Sequence, residues 1–312
     1  MKGWAYVVRD RQAVEQVAID EAARSFGHAD FTWIHLDARD DESLAWLKGA
    51  DLPPAATNAL LAHETRPRGD QIGDGALVNL RGPGATPEDD PDRLVSIRIW
   101  ADAGRVVSVS FRTLGEITTI CDKMQRGELR DPGDLIAAVA TAITSALDPD
   151  VAKLGDTIDD YEAALEDLPI ATARRKIMTV RSTAIDLRRF LNPQRLALER
   201  LAGAGCSWLN DDDRAHLREA SDRAARMAEE LEAIRERSAL LHEQLTDMRT
   251  EQIDQRALTA ALVALIFLPL TFITGLFGMN VPVPQWPHAF WWVSAACTIS
   301  GVGLWQLMKR GR

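Results

Sequence analysis

The chain has 312 residues, 26% of them charged, and a formal net charge of -10, which argues against nucleic acid as a partner and favours an acidic, cation-attracting surface. Its three cysteines, Cys121, Cys206 and Cys297, lie far apart and form no C-x-x-C, which disfavours a disulfide framework or a zinc knuckle. Met1 to Tyr6 lacks the apolar centre of a signal peptide, so the long N-terminal portion is expected to stay in the cytoplasm.

Residues 1–149 read as a mixed domain of an α+β protein. Phe31 to Asp37 is an apolar run suited to a buried strand, and Arg93 to Trp100 with Arg105 to Arg112 alternate around Ala103-Gly104, which predicts a hairpin. Pro54 to His63 reads as helix, and the Gly- and Pro-rich stretch Arg81 to Pro91 as loop. A helix is predicted from Asp134 to Leu147, with Asp131-Pro132 before it and Asp148-Pro149 after it. No G-x-G-x-x-G, P-loop or H-E-x-x-H occurs here, so an enzyme is the weakest functional reading.

Residues 150–256 read as a helical arm and stalk. Val151 to Leu168 and Ala171 to about Leu201 are charged amphipathic helices separated by Pro169, and Gly203-Ala204-Gly205 breaks the chain. A further helix starts among Asn210 and the acids Asp211 to Asp213 and meets no proline before Pro269 and no glycine before Gly275. Unbroken, it would run roughly 100 Å at 1.5 Å per residue.

Two stripes follow this helix. Leu217, Ala220, Ala224, Met227, Leu231, Ile234, Ser238, Leu241, Leu245 and Met248 repeat at steps of three and four, the seam of a helix packed on other helices. Nearly opposite stand Glu219, Asp222, Arg226, Glu229, Ala233, Glu236, Leu240, Glu243, Asp247, Thr250 and Asp254. The same steps continue through Ala257, Ala261, Ala264, Leu268, Thr271, Gly275 and Gly278, so one face is acidic first and small or weakly polar afterwards. A solvated helix face explains the acids as well as a cation path does, and close helix packing explains the small residues. A symmetric oligomer reconciles both: small residues around an axis leave a narrow path, and Glu243, Asp247 and Asp254 line its cytoplasmic mouth.

Residues 257–312 hold two uncharged apolar stretches, Ala257 to Phe277 and Phe290 to Met308, each of the length that crosses roughly 30 Å of hydrocarbon. Arg256 precedes the first, Lys309, Arg310 and Arg312 follow the second, and the connecting loop has no Lys or Arg. Both termini are therefore expected on the cytoplasmic side of a bilayer. Gly278-Met279-Asn280 falls where the first span ends. Glycine releases the chain there, and a ring of Asn280 amide oxygens suits a divalent cation that keeps its water shell. His288 is the loop side chain that favours zinc over magnesium, since imidazole suits Zn²⁺ and hard oxygen suits Mg²⁺. Its plainer reading is an interfacial residue beside Trp286, Trp291 and Trp292 in an aromatic belt. His35, His63, His216 and His242 read as packing or surface residues.

The stretch Pro269 to Asn280, with Gly278-Met279-Asn280 at its end, resembles the pore-helix end of the CorA metal-ion transporter family, and Asp186 to Arg195 resembles its helical arm. Trp33-Ile34-His35-Leu36-Asp37, Glu64-Thr65-Arg66-Pro67-Arg68, Gly73-Asp74-Gly75, Leu80-Arg81-Gly82 and Val95 to Trp100 are similar to its zinc-transporter branch, ZntB. The resemblance implies a homopentamer in a bacterial inner membrane, with a cytoplasmic funnel, a stalk continuing as the pore-lining first span, and transported Zn²⁺ or Mg²⁺ in place of any catalytic cofactor. The loop departs from the zinc branch where Val281-Pro282-Val283-Pro284 follows the signature, and it lacks the acidic residue that magnesium-transporting relatives often carry. Zinc transport is the leading reading, a magnesium, cobalt or nickel channel its neighbour, and a membrane-tethered coiled-coil scaffold the rival from another class.

Overall fold

Runs rich in Val, Ile, Leu and Trp recur through the first third of the chain, and strands of this composition need a partner edge and a covered face. In the computed structural model, which describes residues 1–10, 13–63, 66–86, 94–165, 167–278 and 287–310, they build one seven-stranded sheet. The strands are β1 (Gly3–Arg9), β2 (Ala13–Val17), β3 (Phe31–Asp37), β4 (Arg68–Ile72), β5 (Gly75–Pro83), β6 (Leu94–Asp102) and β7 (Arg105–Ser110), in the order β2-β1-β3-β7-β6-β5-β4. All neighbours are antiparallel except β3 and β7, which run parallel with Ile34 opposite Val107. The expected hairpin is present: Asp102 pairs with Arg105 across Ala103 and Gly104, and Gly104 takes φ 83, a conformation open to glycine.

Helices cover both faces. On one, α1 (Ile19–Arg24), α2 (Asp41–Gly49) and α3 (Pro54–Leu61) bury Ile19, Ala22, Leu47, Ala56 and Leu60 against Ile34, Leu36, Val107 and Val109. On the other lie α4 (Ile117–Gln125), α5 (Pro132–Ala163) and α6 (Ile170–Ala202). Gly69 on β4 permits the α6 contact, since a Cβ there would sit 2.4 Å from the Ala197 carbonyl oxygen. The α3 end is capped from the sheet: the buried Arg98 guanidinium donates to the carbonyls of Leu60 (3.4 Å) and His63 (3.3 Å) and lies over the Phe111 ring.

Two expectations differ from the structure. The stretch read as loop from Arg81 is strand up to Pro83, paired with Ser96 to Leu94, because Gly82 leaves room for Ile143 and Leu114 where a side chain would collide; residues 87–91 lie outside the described residues. The helix predicted to stop at Leu147 runs through Pro149 to Ala163. An interior proline costs about 3 kcal/mol, and burial of Leu147, Val151 and Ile158 along α5 offsets that cost. Pro193 sits inside α6 in the same way.

The long helix is α7 (Asp211–Gly278), 68 residues, and α8 (Ala289–Arg310) follows it. Its start is fixed by a reciprocal cap: the Asp213 N–H donates to Asn210 Oδ1 at 2.9 Å, and the Asn210 N–H donates to Asp213 Oδ2 at 3.0 Å. The chain divides into two compact units, Met1–His242 and Glu243–Arg312. Within the first, every seam residue from Leu217 to Leu241 is buried, while Glu219, Asp222, Arg226, Glu229, Ala233, Glu236 and Leu240 are exposed. Arg237 of α7 pairs with Asp159 and Glu162 of α5, and Arg188 of α6 reaches Glu232 of α7 at 2.8 Å. These half-exposed pairs set alignment more than stability; the seam supplies the stability.

Leu231→Ala is expected to destabilise the first unit by about 2–5 kcal/mol, as buried leucine truncations do, whereas Leu240→Ala should stay within about 0.5 kcal/mol. Denaturant unfolding of the detergent-solubilised protein checks this, and equal effects at the two positions would contradict the assigned faces.

Candidate ion pathway

Beyond Leu245, which is still buried, α7 loses its cover. The most apolar stretch of the helix has a mean hydropathy of 2.3 and none of it is buried, with Leu258, Val263, Leu265, Phe267, Leu268, Phe272 and Leu276 all exposed. Helix α5 is also long and apolar enough to cross a bilayer, but half of its most apolar stretch is buried, as befits a core helix. Large uncovered apolar side chains along several helical turns require lipid or other protein around them. Helix α8 presents Trp291, Trp292, Ile299 and Val302 in the same uncovered state.

Ala257, Ala261, Ala264, Leu268, Thr271, Gly275 and Gly278 all lie on α7 and all are exposed. The partly covered residues Leu262, Ile266, Leu270 and Ile273 are two positions away in register, about 200° round the helix and so nearly opposite. Along this part of α7 the hydroxyls are satisfied within the helix: Thr271 Oγ1 donates to the Phe267 carbonyl at 2.7 Å, and Thr274 Oγ1 to the Leu270 carbonyl at 3.0 Å. A threonine bonded in this way tolerates hydrocarbon while its oxygen still accepts from water on the exposed side.

Glu243, Asp247 and Asp254 are exposed on α7, and Asp247 and Asp254 share an open groove of about 580 Å³ with Thr250, Glu251, Gln255 and Leu258. Gly278 is the last residue of the helix; Met279 and Asn280, expected at the outer mouth, lie outside the described residues. His288 is exposed with φ 69, and its carbonyl accepts from the N–H groups of Trp291 (2.9 Å) and Trp292 (3.3 Å), so its backbone starts α8. His35, His63 and His216 are apart from this stretch. His35 is buried, and desolvation lowers its pKa to about 3; His63 stacks on Phe111 at 4.7 Å; exposed His216 lies 3.9 Å from Asp212, while Cys206 is buried beside the Gly75 carbonyl.

Spacing alone did not bring together Asp131, Asp134 and Asp213, whose carboxylate oxygens lie within 4.8 Å of one another. The signal was present in two helix starts, Asp131-Pro132 and Asn210 to Asp213, and folding juxtaposes them. Each carboxylate already serves a helix end: Asp131 accepts from the Asp134 N–H, Asp134 from the Arg130 N–H, and Asp213 from the Asn210 N–H. Burial pushes Asp213 up to about 6, with the neighbouring Asp131 and Asp134 charges adding to the shift.

A family model described as "CorA-like Mg2+ transporter protein" matches residues 28–310. The chain belongs to this family. Among CorA-like relatives, the zinc transport protein ZntB of Pectobacterium carotovorum is 32% identical over 90% of this chain and 87% of its own length. The divalent cation transporter CmaX of Pseudomonas aeruginosa is 34% identical over 88% of this chain and 84% of its own. The solved full-length CmaX structure superposes with a TM-score of 0.79 at 29% identity, covering 99% of this chain and 97% of that one. The CorA magnesium transporter of Methanocaldococcus jannaschii shares the fold, with a TM-score of 0.84 at 18% identity over 100% of this chain and 98% of that one.

The raised Asp213 makes stability of this CorA-like chain depend on pH. Its folded pKa lies above the unfolded value of 3.8, so the stabilisation from its bound proton is complete at low pH and fades as pH rises through about 6. Asp213→Asn keeps the oxygen that accepts from Asn210 and removes the buried charge. The variant should therefore melt above the wild type at pH 8 and close to it near pH 4, and thermal unfolding at both pH values measures the difference.

Proposed function

We propose that this chain is a divalent-cation transporter of the bacterial inner membrane, with zinc as its main cargo and a homopentamer as its working form. On this reading residues 1–149 form the cytoplasmic α/β domain, 150–256 the arm and stalk, and 257–312 a pore domain of two spans, with both termini cytoplasmic. The observation that carries it is the uncovered α7 face, acidic at Glu243, Asp247 and Asp254 and small or weakly polar from Ala257 to Gly278. Copies of that face around an axis would draw cations to the inner mouth and pass them with their water on, because no Asp, Glu, His, Lys or Arg stands between Ala257 and Pro287 to bind them. Asn280 would meet the hydration shell at the outer mouth, and His288 would favour zinc there.

The relatives' names support zinc: several proteins named for zinc transport are 31–34% identical over 80% or more of the chain. The family model's description favours magnesium as the second reading. Uptake of radioactive zinc by purified protein in liposomes decides between them. Zinc uptake should survive excess magnesium; its suppression by an equal concentration of magnesium would make magnesium the cargo.

Asn280→Ala should remove most transport and leave the oligomer intact by size-exclusion chromatography, and wild-type flux in that variant would overturn its role. Replacing Asp247 and Asp254 together with Asn should slow uptake more at low ionic strength than at high, since screening beyond about 8 Å at physiological salt already weakens a charged mouth. Equal slowing at both would point to packing.

A further inference from the structure

The parallel pair β3 and β7 creates a crevice that the ion pathway does not use. The chain leaves β3 for α2 on one face of the sheet and leaves β7 for α4 on the opposite face. Where connections from adjacent parallel strands diverge, a gap opens beyond their carboxyl ends, the place where open α/β sheets bind ligands. A cavity of about 150 Å³ occupies that position, lined by Asp37 at the end of β3 with Arg39 beyond it and by Ser110 at the end of β7 with Arg112 beyond it. At roughly 30 Å³ per water it has room for about five water molecules, or a tetrahedral oxyanion with water beside it.

Its lining is cationic. Lys2, Arg39 and Arg112 stand against the carboxylate of Asp37. Arg39 chelates Asp37 at 2.8 and 3.0 Å, and Arg112 donates to the Leu94 carbonyl at 3.1 Å. Lys2 is exposed and has no ion pair among the described residues.

The floor of the cavity ends a buried hydrogen-bond chain. The Trp33 indole N–H can only donate, and it donates to Ser108 Oγ at 2.9 Å. Ser108 Oγ lies 2.8 Å from His35 Nδ1 and 3.4 Å from the Ile34 carbonyl, and we assign the tautomer in which it donates to the nearer of the two, His35 Nδ1. A His35 ring kept neutral by burial then carries its one N–H on Nε2 and donates to Ser110 Oγ at 3.2 Å. Ser110 is 5% exposed, and its own proton has no acceptor among the described residues. A polar chain that runs through the sheet core thus delivers a hydroxyl donor to a cationic cavity.

We propose that this cavity is a binding site for a small phosphate-type oxyanion, held by the Ser110 hydroxyl with the Lys2 and Arg112 cations, on the cytoplasmic domain and separate from the metal path. The site takes inorganic phosphate or the phosphoryl group of a small monoester. Asp37 keeps Arg39 in place at the rim, and its single charge leaves the lining net positive.

Calorimetric titration of the full-length protein in detergent tests this, in buffer with a chelator so that no metal in the ion pathway can capture the anion. Inorganic phosphate, glycerol phosphate and chloride at matched ionic strength are compared. Phosphate or the monoester should bind saturably, one per chain, and whichever binds more tightly identifies the source. Lys2→Gln and Ser110→Ala should each weaken binding about tenfold, the loss expected of one charge-assisted contact. Lys2 is exposed, so Lys2→Gln retains the fold even if Ser110→Ala does not. Heats equal to those of chloride up to about 10 mM, or unchanged affinity in Lys2→Gln, would overturn the proposal. Transport is not measured, so this outcome is independent of the cargo assignment.

Discussion

The rest of the structure depends on one constraint: α7 must satisfy two solvents with a single helix. Its backbone hydrogen bonds are internal apart from the one that Pro269 cannot donate, so the helix itself needs little from its surroundings. Its side chains do. From Leu217 to Leu241 the seam is covered by the chain's own helices, and from Ala257 onward the apolar surface is uncovered in the same chain. Each large side chain left in water forgoes about 1.5–3 kcal/mol, and α7 leaves Leu258, Phe267, Leu268, Phe272 and others in that condition. The deficit is removed only by lipid and neighbouring helices, which makes the membrane a structural component of this fold.

The α+β unit is built to hold the other end of that helix. Its sheet is covered on one face by α1, α2 and α3 and on the other by α4, α5 and α6, and α5 and α6 pair with α7 through Asp159, Glu162 and Arg188. The junctions are polar and local: the Asn210–Asp213 cap at the start of α7, Arg214 donating to the Ala202 carbonyl at 2.9 Å, and Arg237 between Asp159 and Glu162. Such contacts contribute little energy in water but fix the register of the first part of α7 against α5 and α6.

Much of this was legible in the residues. The β6–β7 hairpin follows from alternation around Ala103-Gly104, and β3 from an apolar run with β-branched and aromatic members. The edge strand β4, Arg68–Ile72, escaped because its sequence is polar on both sides of the pleat; only the backbone approach at Gly69 betrays it. Helix α5 was cut short because Pro149 is a local signal and the burial of Val151 and Ile158 is not. The two α7 stripes follow from helical arithmetic, since three- and four-residue steps place residues on one side whatever surrounds them. The acid cluster at Asp131, Asp134 and Asp213 and the cavity at Ser110 could not be read that way, because each joins segments far apart in sequence.

The same arithmetic bears on how a cation would be handled. A carrier that strips and binds its ion needs titratable or thiolate ligands at membrane depth, where such groups are costly and therefore functional. Helix α7 offers Ala, Gly, Leu and Thr on its exposed face, and Thr271 commits its proton to the Phe267 carbonyl. These groups accept from water better than they replace it, so on the proposed reading selection would fall to the mouths, with Asp254 at the inner end and the segment after Gly278 at the outer. Proton coupling is constrained by the same inventory. With no ionisable side chain between Ala257 and Pro287, protons crossing that stretch have only water to travel along, and their coupling to the metal would have to be made at the two ends.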